Sequence, residues 1–111
     1  MTADQRFESE AHALGFPLSA PLQIGGHYTP ALRDGDRIYI SGQIPRIADR
    51  VVVVGCVGDD VSFEQAGHAA KISTLRALTL VQQACGSLDA VVSIPRMTVY
   101  IRSAPGFTQH S

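Results

Sequence analysis

The 111-residue chain has no tryptophan and only 6% aromatic residues, so aliphatic side chains, chiefly Val, Ile, Leu and Ala, are expected to build its core. It has no apolar run of about 18 residues, the length a membrane-spanning helix requires. It has no cluster of Lys and Arg, and its formal net charge is -1. The electrostatic footprint of a nucleic-acid binder is therefore missing. Its two cysteines, Cys56 and Cys85, fit no C-x-x-C pattern and read as small half-buried hydrophobes. Its four histidines stand alone, none within metal-ligand spacing of another His or of a Cys, and no metal or cofactor is expected. The acidic, amphipathic N-terminus lacks the apolar stretch of a secretory signal. A cytoplasmic protein without nucleic-acid or membrane partners is the expectation.

What is present suits one domain over residues 1–111. Residues 4 to 14 place Phe7, Ala11 and Leu14 on one helical face, with Gly15 to cap it and Pro17 to prevent continuation. Residues 15 to 26 read as an extended linker rich in Pro and Gly. Tyr28 to Arg33 and Arg37 to Ser41 are strand candidates around Asp34-Gly35, a hairpin signal because glycine accepts positive φ freely. The β-branched run Val51 to Val54 predicts a third strand.

Residues 63 to 85 form the clearest element. Ser62 and Gln65 make a capping box, and Asp59, Asp60 and Glu64 place negative charge at the positive end of the helix dipole. Ala66, Ala69, Ala70, Ile72, Leu75, Leu78, Val81 and Ala84 give one broad apolar face. From 90 to 103 the alternation of Met97, Val99 and Ile101 with Thr98, Tyr100 and Arg102 predicts a long strand, with Pro95 marking a bulge or edge. One long helix on one face of a sheet is an α+β arrangement. The other sheet face needs a cover, and partner subunits are the simplest one.

Residue chemistry names no reaction. Ser41 sits in no G-x-S-x-G elbow, and no glycine-rich stretch matches a phosphate-binding loop. Asp34 and Asp36 belong to a turn, and Asp59 and Asp60 to a helix start. The segment "SGQIP", Ser41 to Pro45, nevertheless ends a strand with a hydroxyl, a glycine and an amide. Donor, acceptor and accessible backbone lie together there, as in a ligand site.

These segments carry a resemblance. Tyr28 to Ala31, Gly35-Asp36, Ser41 to Pro45, Gly55 to Gly58, Glu64 to Ala70 and Gly86 to Asp89 together resemble the RidA/YjgF family, the reactive-intermediate deaminases once labelled endoribonuclease L-PSP. The match runs from about residue 25 to 107. It implies a chorismate-mutase-like α+β fold, a mixed sheet with the long helix packed on one face. It also implies a homotrimer with clefts between subunits. Residues 1–26 would add an N-terminal helix and linker. The implied reaction is hydrolysis of enamine or imine intermediates such as 2-aminoacrylate to 2-keto acids and ammonia, without cofactor. Tyr28, Ser41, Gly42, Gln43 and Phe107 are the expected substrate-binding residues.

Catalytic members also use a C-terminal arginine as a carboxylate clamp and a glutamate to position water. No residue up to Ser111 matches either, and Arg96 and Arg102 lie on the preceding strand. The family's C-terminal helix and strand are therefore expected to be absent and the catalytic residues are unknown. A non-catalytic trimer binding small metabolites in the same cleft is the alternative. An RNA-cleaving role is disfavoured by the charge balance.

Overall fold

The computed structural model describes residues 1–19, 22, 24 and 26–110. Helix α1 spans Ala3–Ala13 and helix α2 Phe63–Cys85. The short strands are β1 (Ala31–Asp34), β2 (Arg37–Ile40), β3 (Arg46–Ile47) and β4 (Arg50–Val51), and a 3-10 turn follows α2 at Leu88–Ala90.

The helix ends follow from their caps. The Ser62 side chain accepts from the Gln65 backbone while the Gln65 side chain accepts from the Ser62 backbone, the expected capping box. Thr2 and Gln5 repeat the device on α1. Gly86 closes α2 at φ 85, a left-handed position that glycine occupies without steric cost.

α1 is tied to the far end of α2 by two reciprocal carboxylates. Asp4 accepts from Gln82 Nε2 at 2.9 Å, from Leu88 N–H at 2.8 Å and from the Ser87 hydroxyl. Asp89 Oδ1 accepts from Ala3 N–H at 2.8 Å. These bonds hold the Asp4 carboxyl below its ordinary pKa. The Ser87 bond contributes most, followed by those from Leu88 and Gln82.

The core lies where α1, α2 and the 3-10 turn converge: Phe7, Ala11, Phe16, Ile72, Leu75 and Leu88. Two phenylalanines thus supplement the aliphatic residues expected there. Ile72 is fully buried, a contribution of roughly 2 kcal/mol for a side chain of its size.

Three strand expectations need correction. The two-residue hairpin turn is Gly35-Asp36, since Asp34 still pairs with Arg37 as the last rung of the β1–β2 ladder. Gly35 has φ 60, which explains why glycine leads that turn. The valine run pairs only at Val51, opposite Arg46. Val52 N–H bonds to the Pro45 carbonyl, and Val53 and Val54 join no ladder among the described residues. The long strand at 90 to 103 has no ladder either. It starts in the 3-10 turn and makes one bridge, Ser103 to Val57, among the described residues.

The expected mixed sheet is thus two separate two-stranded antiparallel sheets among the described residues, with parallel pairing confined to isolated bridges at Val57. α2 packs against β1, β2 and β3, as a helix laid on one sheet face must.

Residues 91–102 explain the size of the particle. Every one of them is exposed, with Val92 at 98% and Tyr100 at 92%. The radius of gyration is 14.8 Å, above the roughly 13 Å expected of a compact domain of this length. An apolar, alternating segment that finds no partner strand keeps its sequence pattern but forms no sheet.

Candidate functional site

The "SGQIP" turn leaves the end of β2. Pro30, just before β1, and Ser41, just after β2, face each other across the hairpin. The Pro30 carbonyl accepts from Ser41 N–H at 2.9 Å and from Ser41 Oγ at 3.1 Å. Proline has no N–H to offer in return, so this double acceptance closes the hairpin at that end.

Gln43 folds back on the same serine. Its Nε2 donates to Ser41 O at 3.2 Å and to Ser41 Oγ at 3.3 Å. Its Oε1 accepts from Arg76 Nε at 3.1 Å. Arg76 Nη1 reaches the Arg46 carbonyl at 3.2 Å. The guanidinium therefore grips the segment 43–46 at both ends.

A guanidinium can only donate, so it selects which end of the Gln43 amide faces it. The amide NH2 is left for Ser41. The hydroxyl of Ser41 sends its proton to Pro30 and accepts from Gln43, which leaves lone-pair capacity at Oγ. No acid or base bonds to it among the described residues. The arrangement suits binding and orientation, not nucleophilic attack.

Gly42 lies exposed between these two residues. A Cβ built there meets nothing within 4 Å. The backbone N–H groups of Gly42 and Gln43 have no hydrogen-bond partner among the described residues. Two adjacent backbone donors, one on an exposed glycine, next to a hydroxyl acceptor can receive a carbonyl or carboxylate oxygen together with an N–H group.

Arg76 was not among the residues expected from sequence. It lies on α2 one turn from Ile72 and one from Leu80, all three buried, and is only 4% exposed. Burial holds its guanidinium below its ordinary pKa. The charge of Arg46 pushes the same way, and Tyr28 opposes both. An arginine at i, i+4 spacing between apolar residues was the available signal.

Among the five expected binding residues, Ser41, Gly42 and Gln43 form one turn. Tyr28 is half exposed and stands before β1. Phe107 belongs to another neighbourhood. Its ring lies where a Cβ on Gly58 would come within 3.0 Å of Cδ1. It also stacks edge-on against His110 at 5.0 Å. No described hydrogen bond or ring contact joins it to Ser41 or Gln43.

Asp60, expected at the helix start, also braces the turn before it. Asp60 Oδ1 accepts from Cys56 N–H at 2.6 Å, bracing the turn that leads to Val61, while Ser62 caps the helix. Cys56 and Cys85 are free and half-buried. No group of three or more His, Cys, Asp or Glu is placed to hold a metal among the described residues. No helix among them is long and apolar enough to cross a membrane. A groove of about 590 Å³ runs between α1 and α2, lined by residues such as Phe7, Leu14, Leu78 and Val91. It includes none of the five expected binding residues.

The fold and turn define a small α+β protein with a polar turn at a hairpin end. No known family profile matches the chain. Among curated proteins it is 26% identical to protein TCP17 of Trypanosoma cruzi over all 111 residues, 69% of that protein. Among solved structures it is similar to a candidate endoribonuclease of Shewanella oneidensis, with a TM-score of 0.61 and 30% identity. The match covers 74% of this chain and 54% of that one. It is also similar to Atu1372 of Agrobacterium tumefaciens, a protein of unknown function, with a TM-score of 0.61 and 31% identity over 78% of this chain. The match spans about half the length of each of these two structures.

Endoribonuclease is the older label of the RidA/YjgF family. The likeness bears out, at the level of the fold, the resemblance carried by the motifs: the fold is RidA/YjgF-like.

Proposed function

We propose that the protein binds small 2-imino or 2-keto acids at the Ser41–Gly42–Gln43 turn and promotes hydrolysis of the imine. Water adds to the C=N carbon, ammonia leaves and a 2-keto acid remains. An enamine such as 2-aminoacrylate enters this reaction after tautomerising to its imine. The observation that carries this reading is the turn itself. The backbone N–H groups of Gly42 and Gln43, without a bonded partner among the described residues, follow a serine oxygen whose proton is already committed to Pro30. The donors suit the carboxylate or keto oxygen, and the Ser41 lone pair suits the imine N–H.

The same serine supports a second reading, a non-catalytic metabolite-binding protein with the same fold. Among the described residues its hydroxyl bonds to no base, and no acid bonds to it either. RNA cleavage, the activity named for one structural neighbour, gains no support from a chain of net charge -1.

Assembly into a homotrimer belongs to the proposal. Its support is segment 91–102, which leaves Val92, Ile94, Met97, Val99 and Tyr100 exposed together, a concentration of uncovered apolar residues of the kind that marks an interaction surface. A cytoplasmic location fits the two free cysteines.

The test is ammonia release from freshly generated 2-iminobutanoate, alongside titration with 2-oxobutanoate. Acceleration over buffer supports the hydrolase. Binding without acceleration supports the second reading. Neither would remove both.

A further inference from the structure

We propose that Arg76 is a positioning residue: from the buried face of α2 it fixes the orientation of the Gln43 amide and thereby the polarity of the Ser41–Gly42–Gln43 turn. This inference rests on reading that turn as the ligand-binding wall.

Arg76 occupies a place where stability alone would put an apolar residue. Its helical neighbours one turn away, Ile72 and Leu80, are both buried and aliphatic. Replacing a buried ionic group with a well-packed apolar one is often neutral or stabilising, so the cation needs another reason to be there. The structure supplies one in its two bonds to the turn. Nε holds Gln43 Oε1 at 3.1 Å and Nη1 holds the Arg46 carbonyl at 3.2 Å.

Those bonds remove an ambiguity. A glutamine amide presents nearly the same shape after a half-turn, with donor and acceptor exchanged. Against a guanidinium only one orientation works. Gln43 then donates to Ser41, and Ser41 donates to Pro30. The Ser41 carbonyl asks for the same orientation, since Gln43 Nε2 donates to it as well. Without the cation the amide oxygen loses its anchor, only the bonds to Ser41 hold the side chain, and the turn loses the fixed shape that a ligand meets.

The test uses three readouts on the intact chain: the Gln43 side-chain NH2 signals by NMR, affinity for 2-oxobutanoate, and thermal stability. Arg76→Met fills similar volume without donors. It is expected to collapse the separated, exchange-protected Gln43 signals toward those of free glutamine. Affinity should fall about tenfold, as for loss of a hydrogen bond to a charged group. Gln43→Glu keeps a partner for Arg76 but cannot donate to Ser41. It should keep the melting temperature and still lose affinity by a similar factor.

Unchanged Gln43 signals and affinity in Arg76→Met would overturn the proposal. If that variant does not fold, Gln43→Glu decides, and full stability with unchanged affinity overturns it. If the wild type binds no 2-oxobutanoate, the ligand reading fails separately. The Gln43 signals then decide the role of Arg76, collapse supporting it and no change refuting it.

Discussion

Arg76 Nε meets Gln43 Oε1 at 3.1 Å across 33 residues of chain, joining the buried face of the long helix to the turn at the hairpin end. Together with the Nη1 bond to the Arg46 carbonyl, this bond ties the turn to the packed helix. A loop that could otherwise sample several shapes is held in one, and preorganisation of that kind lowers the cost of binding a ligand.

Gly42 offers a clean probe of the turn. It does not have positive φ, and a Cβ there meets nothing. Gly42→Ala and Gly42→Val should fold with stabilities within about 1 kcal/mol of wild type, as for surface positions without special backbone geometry. Their side chains would stand in open space at the turn where the ligand is proposed to sit. Titration with 2-oxobutanoate should show affinity falling from glycine to alanine to valine. Equal affinities would place the ligand elsewhere.

Asp4 makes the docking of α1 pH-dependent. Its folded pKa is depressed below the ordinary 3.8 by hydrogen bonds from Ser87, Leu88 and Gln82. A depressed carboxyl contributes stability that is fully present well above the unfolded pKa and is lost as pH falls through the folded value. Asp4→Asn should therefore lower the melting temperature at pH 7. The gap from wild type should close as the pH falls below about 4. A gap that persists unchanged at pH 2.5 would show that the carboxylate's charge plays no part.

These two sites also show what a reader of the sequence can and cannot see. The capping box at Ser62 and Gln65, the span of α2 and the glycine after it were legible because each is decided by neighbours a few residues apart. The β1–β2 hairpin was legible for the same reason, with its turn displaced by one residue to Gly35-Asp36. The "SGQ" turn stood out by composition.

Arg76 was hidden, because its partners Gln43 and Arg46 lie 33 and 30 residues away and its charge suggests a solvated position. Asp4 and Asp89 were hidden in the same way. Residues 91–102 failed as a strand although their pattern is strand-like, because alternation states a preference while pairing needs a second strand.

That unpaired segment carries a prediction of its own. If it mediates the proposed association, light scattering should report about three times the 11.9 kDa chain mass. Val99→Lys with Ile101→Lys, two charges on one side of the extended segment, should shift the mass toward a single chain. The α-helical signal should be kept, since neither residue touches the buried cluster. A mass of one chain for the wild type would contradict the trimer.

The most direct measurement is the rate of ammonia release from freshly generated 2-iminobutanoate with wild type, Gly42→Val and Gln43→Glu. The account predicts acceleration over buffer for wild type and its loss in both variants, each still folded by circular dichroism. Acceleration that survives both substitutions would contradict the assignment of the reaction to this turn.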